Sequence, residues 1–350
     1  KGKRCSPHVY RNTCDRNMGG GIGSMQKSTA VIEENTCFQN FYAGIGHNDA
    51  SPSVINNVCY ENIRAGIGIS EGASPVVRAN RCYRNRRAGI GIRTGHHTRP
   101  VVEDNECFEN GMAGIGTEEE AAPVIRDNRC HHNELAGIGA RDDAHPIIID
   151  NEVRENKQAG IGLAECKAGR AIVIGNTVAE NAMVAVGVHA GWSVSLEGNT
   201  LSRTGGLPPI VMVFVGAQAR LHGNTITGEG VAGVRVAGTV ALTDNDVAGL
   251  KMRPGGPPNF GVWALPGSTV SLQGNRFASW RHALHADQAT VVVMDNRARD
   301  FRSPAFVVRS SPRPAHAVGN TAISNKPDDQ AVVIDGPVGA VAGNRTVAPE

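Results

Sequence analysis

Pro123-Val124-Ile125-Arg126-Asp127-Asn128-Arg129-Cys130-His131-His132-Asn133-Glu134-Leu135-Ala136-Gly137-Ile138-Gly139 is the stretch that decides how this chain folds. It reads as three short runs in which apolar residues alternate with polar ones, separated by turn residues. Working outward, Asn-x-Cys recurs at Asn12, Asn35, Asn57, Asn80, Asn105 and Asn128, and the Asn continues at Asn151, Asn176, Asn199, Asn224, Asn245, Asn275, Asn296, Asn320 and Asn344. The spacing of 21 to 30 residues gives about fifteen coils. The longest interval, Asn245 to Asn275, holds Lys251-Met252-Arg253-Pro254-Gly255-Gly256-Pro257-Pro258, which reads as a loop inserted in one coil.

Three strands per coil predict an all-β fold, a right-handed parallel β-helix with three parallel sheets. Helical periodicity is absent, and twenty-odd residues are too few for a repeated strand–helix–strand crossover. Leucine-rich repeats have a similar period, but Leu is scarce and their pattern is missing. The chain is expected to be one domain over residues 1–350, with regular coils over 1–165 and degenerate coils with longer turns over 166–350. At the bend, Asn suits a left-handed backbone and can bond the Asn of the next coil.

Composition agrees with narrow coils: 43 of 350 residues are Gly, aromatics are 4%, and apolar residues are 40%. A net charge of +2 asks for neither nucleic acid nor an anionic membrane as partner. No apolar run reaches the length of a membrane span, and Lys1-Gly2-Lys3-Arg4 does not lead into an apolar signal core. Because Pro7-x-Val9-x-x-Asn12 already follows the repeat, the chain is expected to be an excised or mature segment, with flanking domains outside it.

The coil motif Pro-x-Val-x-x-Asn-x-(Cys/Ile)-x-x-Asn-x-x-Ala-Gly-Ile-Gly-Ile resembles the carbohydrate-binding and sugar-hydrolase (CASH) β-helix repeats of NosD-type periplasmic proteins, pectate-lyase-like enzymes and some F-box proteins. The resemblance runs through essentially the whole chain and is strongest over residues 7–165. It implies the fold, and it implies that Ala-Gly-Ile-Gly forms the first sheet, where enzymes of this fold bind sugar chains between long first and third turns. Activity does not follow, because the family holds lyases, hydrolases, epimerases and non-catalytic adaptors. Export or a cell-surface location is implied by the same resemblance, whereas unpaired cysteines argue for a reducing compartment.

Several ladders invite a chemical reading. Cys14, Cys37, Cys59, Cys82, Cys107 and Cys130 share one coil position, but Val153, Val178, Leu201 and Ile226 take it later, so a small inward apolar group is what the position needs. Cys166, in a turn, is expected to be the reactive thiol. Arg81, Glu106, Arg129 and Glu152 share another position, as do Arg78, Glu103 and Arg126, which predicts ion pairs between coils. Phe38, Tyr60, Tyr83, Phe108 and His131 should stack on one another outside the coil. Asp49, Glu71, Glu119, Asp142 and Glu165 form an acidic edge where Ca2+ is the one cation to consider. No metal ligand set and no cofactor is otherwise predicted.

On the Ala-Gly-Ile-Gly sheet, Ala and Ile are expected to face inward and both glycines outward, leaving a bare strip over Gly44 and Gly46, Gly66 and Gly68, Gly89 and Gly91, Gly114 and Gly116, Gly137 and Gly139, and Gly160 and Gly162. Continued into the later coils, the outward position becomes His189, Phe214, Arg235, Trp263, His285 and Arg309, walled by the long turns at 205–209 and 254–258. Aromatic rings, histidines and arginines in one line would suit an acidic polysaccharide, or another protein, lying along the sheet. No catalytic motif is recognisable: Gly95-His96-His97 and Asp142-Asp143 fall in turns, and Asp-Pro-His-Asp is absent. The alternative is a polysaccharide lyase or hydrolase in the later coils, with Arg235 neutralising a uronate carboxylate and His189 or His285 as base. A structural stalk in a larger chain is the third alternative.

Overall fold

The computed structural model describes residues 1–349, in which every regular element is a β-strand. Two compact units are present, Lys1–Ala182 and Met183–Glu350. In each unit the strands stack in parallel into three sheets, here called A, B and C in the order in which one coil meets them. One coil shows the plan: Val124–Arg126 in sheet A, Arg129–His131 in sheet B and Ile138–Ala140 in sheet C. Sheet A has eight strands in the first unit and seven in the second, giving the expected number of about fifteen coils. No helix long and apolar enough to cross a membrane is present among the described residues.

The bend from sheet A to sheet B differs from the expectation in one respect. The left-handed residue is the one before each Asn, such as Glu34, Asn56, Ala79, Asp104 and Asp127, with φ between 53° and 57°. In the second unit Gly198, Gly223 and Gly274 take the same place, where absence of a Cβ removes the penalty. The Asn itself turns inward and bridges coils. Asn80, fully buried, donates from Nδ2 to Val54 O at 2.9 Å, Arg78 O at 3.0 Å and Asn105 Oδ1 at 2.9 Å, while its Oδ1 accepts from the Asn57 amide and side chain.

A second asparagine ladder, which sequence reading did not separate from the first, lines the bend from sheet B to sheet C in the first unit. Asn40, Asn62, Asn85, Asn110, Asn133 and Asn156 are buried, and each donates to the next coil's Asn Oδ1 at 2.9–3.0 Å. This ladder satisfies the backbone at a sharp corner where strand pairing lapses. It does not continue in the second unit, where Arg203 instead donates to the Gly205 and Met183 carbonyls and the turns lengthen.

Rows of identical side chains fill the core. Ile67, Ile90, Ile115, Ile138 and Ile161 stack in sheet C, and the six cysteines are Cα-paired in sheet B. All eight cysteines are free thiols. Burial pushes the Cys107 thiol well above its ordinary range, which makes it a poor nucleophile. Cys166, expected to be the reactive thiol, is also pushed up, first by burial; its sulfur accepts from the Gly169 amide at 3.2 Å beside the Asp143 carboxylate. Burial first, and the Asp143 carboxylate beside it, disfavour the thiolate at Cys166.

Outside the coils, the charge ladders form as expected: Arg81–Glu106 at 2.8 Å, Arg84–Glu109 at 2.7 Å and Arg126–Glu103 at 2.5 Å. Being exposed and screened by solvent, each contributes little to stability. The rings of Phe38, Tyr60, Tyr83, Phe108 and His131 stack with centroids 4.8–5.2 Å apart, so their faces are spent on each other.

Candidate functional site on sheet C

The two glycines of each Ala-Gly-Ile-Gly do different things. The first points inward at the corner: a Cβ on Gly89 would lie 2.7 Å from Gly114 O, 2.8 Å from Asn110 Nδ2 and 3.1 Å from Cys107 Cβ. Gly44, Gly66 and Gly114 are crowded in the same way. Only the second glycine faces out, with Gly46 meeting open space and Gly68 and Gly91 meeting a neighbouring Ala Cβ at 3.5 Å. The bare strip is therefore half as wide as expected, and Ala43, Ala65 and Ala88 flank it. Alternation fails at the corner because the chain turns between the two positions.

In the second unit the same outward row carries chemistry. Pairing aligns Met212 with Arg235, Arg235 with Trp263, Trp263 with His285, and His285 with Val307. Arg235, Trp263 and His285 thus come together as predicted. His189, Phe214 and Arg309 do not join them. Phe214 lies two residues beyond Met212, stacked on His189 at 4.0 Å, and Arg309 pairs with Asp287 and Asp335, two residues beyond His285. Counting from the Asn bend misplaces them because the turns differ: Arg235 stands 11 residues after its Asn, Trp263 18 and His285 10.

A neighbouring row completes the cluster and was missed in the sequence. Ala232, Phe260 and His282 are Cα partners, occupying the place that Ala43 holds in Ala-Gly-Ile-Gly. The signal was available: Phe260-Gly261-Val262-Trp263 and His282-Ala283-Leu284-His285 are versions of that tetrapeptide. Phe260 stacks on His285 with centroids 4.5 Å apart and meets Trp263 edge-on at 5.9 Å. The Arg235 guanidinium lies 5.0 Å from the Trp263 ring centre, a cation–π contact.

The electrostatics follow from partial burial. Desolvation lowers His285 to about 4, with His282 and Arg309 adding repulsion. His282 is lowered too, first by burial, although its Nδ1 lies 2.7 Å from Pro304 O, placing the ring proton there. Both imidazoles are neutral at pH 7. His285 Nδ1 and Arg235 Nε are buried without a hydrogen-bond partner in the protein.

The inserted turn is tied to this cluster through Arg281, whose guanidinium lies 5.9 Å from the Phe260 ring centre. Arg281 donates from Nη2 to Gly255 O at 2.6 Å, Gly256 O at 3.2 Å and Pro257 O at 2.8 Å, and from Nε to Arg253 O at 2.9 Å. Arg302 adds Pro254 O at 2.9 Å, and Arg253 pairs with Glu229 at 2.7 Å. A Gly- and Pro-rich segment with no pairing of its own is held in this way by two arginines of later coils.

The acidic edge of the first unit gathers Asp142, Asp143, Glu165, Cys166 and Lys167 in a shallow cleft. Asp143 Oδ1 accepts from the Lys167 and Ala168 amides at 2.6 and 2.8 Å, which holds its carboxyl below the usual range and engages it structurally. Among the described residues no group of three or more His, Cys, Asp or Glu is arranged to hold a metal ion.

Residues 45–201 match the family model of a right-handed β-helix region. The fold is a right-handed parallel β-helix. No curated protein matches the sequence. Among solved structures, this β-helix is similar to a mutant of the periplasmic alginate epimerase AlgG, at TM-score 0.52 and 12% identity over 86% of this chain and 78% of that one. It is also similar to a PL6 alginate lyase in complex with a trisaccharide, at TM-score 0.51 and 9% identity over 98% of this chain and 90% of that one. At such identities the likeness speaks for the fold.

Proposed function

We propose that sheet C of residues 183–350 binds an acidic polysaccharide of the uronate class. The observation that carries this is the contiguous row of Arg235, Trp263 and His285 with Phe260 beside it. A guanidinium forks onto a carboxylate, and an indole face accepts the apolar face of a sugar ring. Arg235 and Trp263 sit on adjacent coils, so charge recognition and stacking fall on neighbouring units of one chain. The two alginate-related structures named above, and the CASH-like repeat, support the same reading; the periplasmic epimerase among them supports export.

A second reading, elimination, is favoured by one observation. His285 is neutral at pH 7 and stands one coil from Trp263. Arg235 would neutralise the carboxylate, His285 would remove the C5 proton, and the C4–O bond to the neighbouring sugar would break as the C4=C5 double bond forms, the leaving oxygen taking its proton from water.

Titrating the protein with a panel of uronate and neutral polymers tests the first reading. Uronate binding should weaken at least about tenfold, or about 1.4 kcal/mol, in Arg235→Ala and in Trp263→Ala. Equal binding by wild type and both variants, or a preference for neutral polymers, sinks it. Unsaturated-product absorbance in wild type that disappears in His285→Ala would establish the second reading.

A further inference from the structure

Two consecutive histidines of the first unit stand in an arrangement that the polysaccharide face does not use. His131 ends the sheet B strand Arg129–His131 and stacks on Phe108 with centroids 5.2 Å apart. His132 follows in the left-handed conformation at φ 56°, which swings its ring nearly perpendicular to that of His131, at 87°. The turn brings the two Nδ1 atoms to 2.9 Å, a hydrogen bond in which one Nδ1 carries the proton that the other accepts. The far nitrogens face carboxylates on the adjoining coils: His131 Nε2 is 3.6 Å from Glu106, and His132 Nε2 is 3.3 Å from Glu155. Glu106 is shared with Arg81 at 2.8 Å and Arg129 at 3.9 Å, and Glu155 with Arg154 at 2.5 Å.

We propose that His131 and His132 form a two-nitrogen chelate for a divalent transition-metal ion of the Cu2+ or Ni2+ class. The bite is the first argument. Ligand nitrogens about 2.05 Å from a metal stand about 2.9 Å apart at a right angle and about 3.3 Å apart in a tetrahedron, so the observed spacing fits square-planar or tetragonal ions. The second argument is the tautomer. A carboxylate facing Nε2 favours a proton on that atom once an ion displaces the single proton shared by the two Nδ1 atoms, the outer-shell arrangement by which metal-bound histidines are oriented. Both rings have such a partner, one from the coil before and one from the coil after. His131 is further held by its stack, and His132 by the corner. Two protein ligands leave the remaining positions to solvent, and His132 at the surface gives the ion access.

The other vicinal pair, His96 and His97, is built differently. His96 turns Nδ1, not Nε2, toward Glu120 at 3.9 Å, so no Nδ1 pair is presented there.

The test is titration of the full chain with Cu2+ alone, followed by calorimetry and by the nitrogen superhyperfine pattern in electron paramagnetic resonance. One tetragonal Cu2+ per chain with two imidazole nitrogens is expected. His131→Phe keeps the ring stack and His132→Asn keeps a residue that tolerates positive φ, so both should fold, and each should weaken binding at least about tenfold by removing half the chelate. A variant with Asn at both 96 and 97 should bind as wild type. Absence of stoichiometric binding, binding unchanged in His131→Phe and His132→Asn, or loss only when 96 and 97 are replaced would each overturn the proposal.

Discussion

Gly89 and Gly91 are two residues apart and should respond to alanine in opposite directions. A Cβ on Gly89 would meet Gly114 O at 2.7 Å and Asn110 Nδ2 at 2.8 Å. Neither can yield cheaply. Gly114 O accepts the Ile90 amide at 3.0 Å, and Asn110 Nδ2 is committed to Cys82 O and Asn133 Oδ1, both at 3.0 Å. Overpacking costs about 1–3 kcal/mol, and weakening one or two of these bonds adds about 1 kcal/mol each, so Gly89→Ala should destabilise by about 2–5 kcal/mol. On Gly91 the nearest atom to a new Cβ is Ala65 Cβ at an ordinary 3.5 Å, with no positive φ to strain. Gly91→Ala should stabilise by about 0.5–1 kcal/mol, because the unfolded chain loses freedom. Urea unfolding followed by circular dichroism measures the difference, and hydrogen exchange in this coil shows whether the loss is local, as a solenoid permits. If the two variants lie within about 1 kcal/mol of each other, or Gly91→Ala is the worse, the inward and outward assignment is wrong.

Asn80→Ala removes five hydrogen bonds at a buried corner and should cost about 3–5 kcal/mol, seen as a lower urea midpoint; a loss under about 1 kcal/mol would show that water replaces the ladder. His47 is fully buried with neither ring nitrogen partnered, and burial lowers its pKa to about 3. Unfolding lets this ring take up a proton that the folded state refuses. Its neutral burial is therefore without acid penalty above about pH 6.5, and stability falls by up to about 1.4 kcal/mol per pH unit from there toward pH 3. His47→Ile, matching Ile69 and Ile92 in the same row, should flatten that slope; an unchanged difference in urea midpoint between pH 7 and pH 4.5 would assign acid sensitivity to other groups.

By itself the sequence determined the coil. The recurring Asn, the alternation of apolar residues and the turn residues between them are local properties, and each coil repeats them, so the class of fold and the number of coils could be counted. The inward thiol row and the stacked rings followed from the same alignment. What only the tertiary structure decided is how strands of different coils are matched. Turns from sheet B to sheet C range from three residues to ten, and the register across them is set by parallel backbone pairing between residues some twenty to thirty positions apart. That pairing kept Arg235, Trp263 and His285 in one row, moved His189, Phe214 and Arg309 to another, and brought Phe260 and His282 beside the first. It also separated the two glycines of Ala-Gly-Ile-Gly. A corner, unlike a strand, breaks the alternation by which a sequence tells inside from outside.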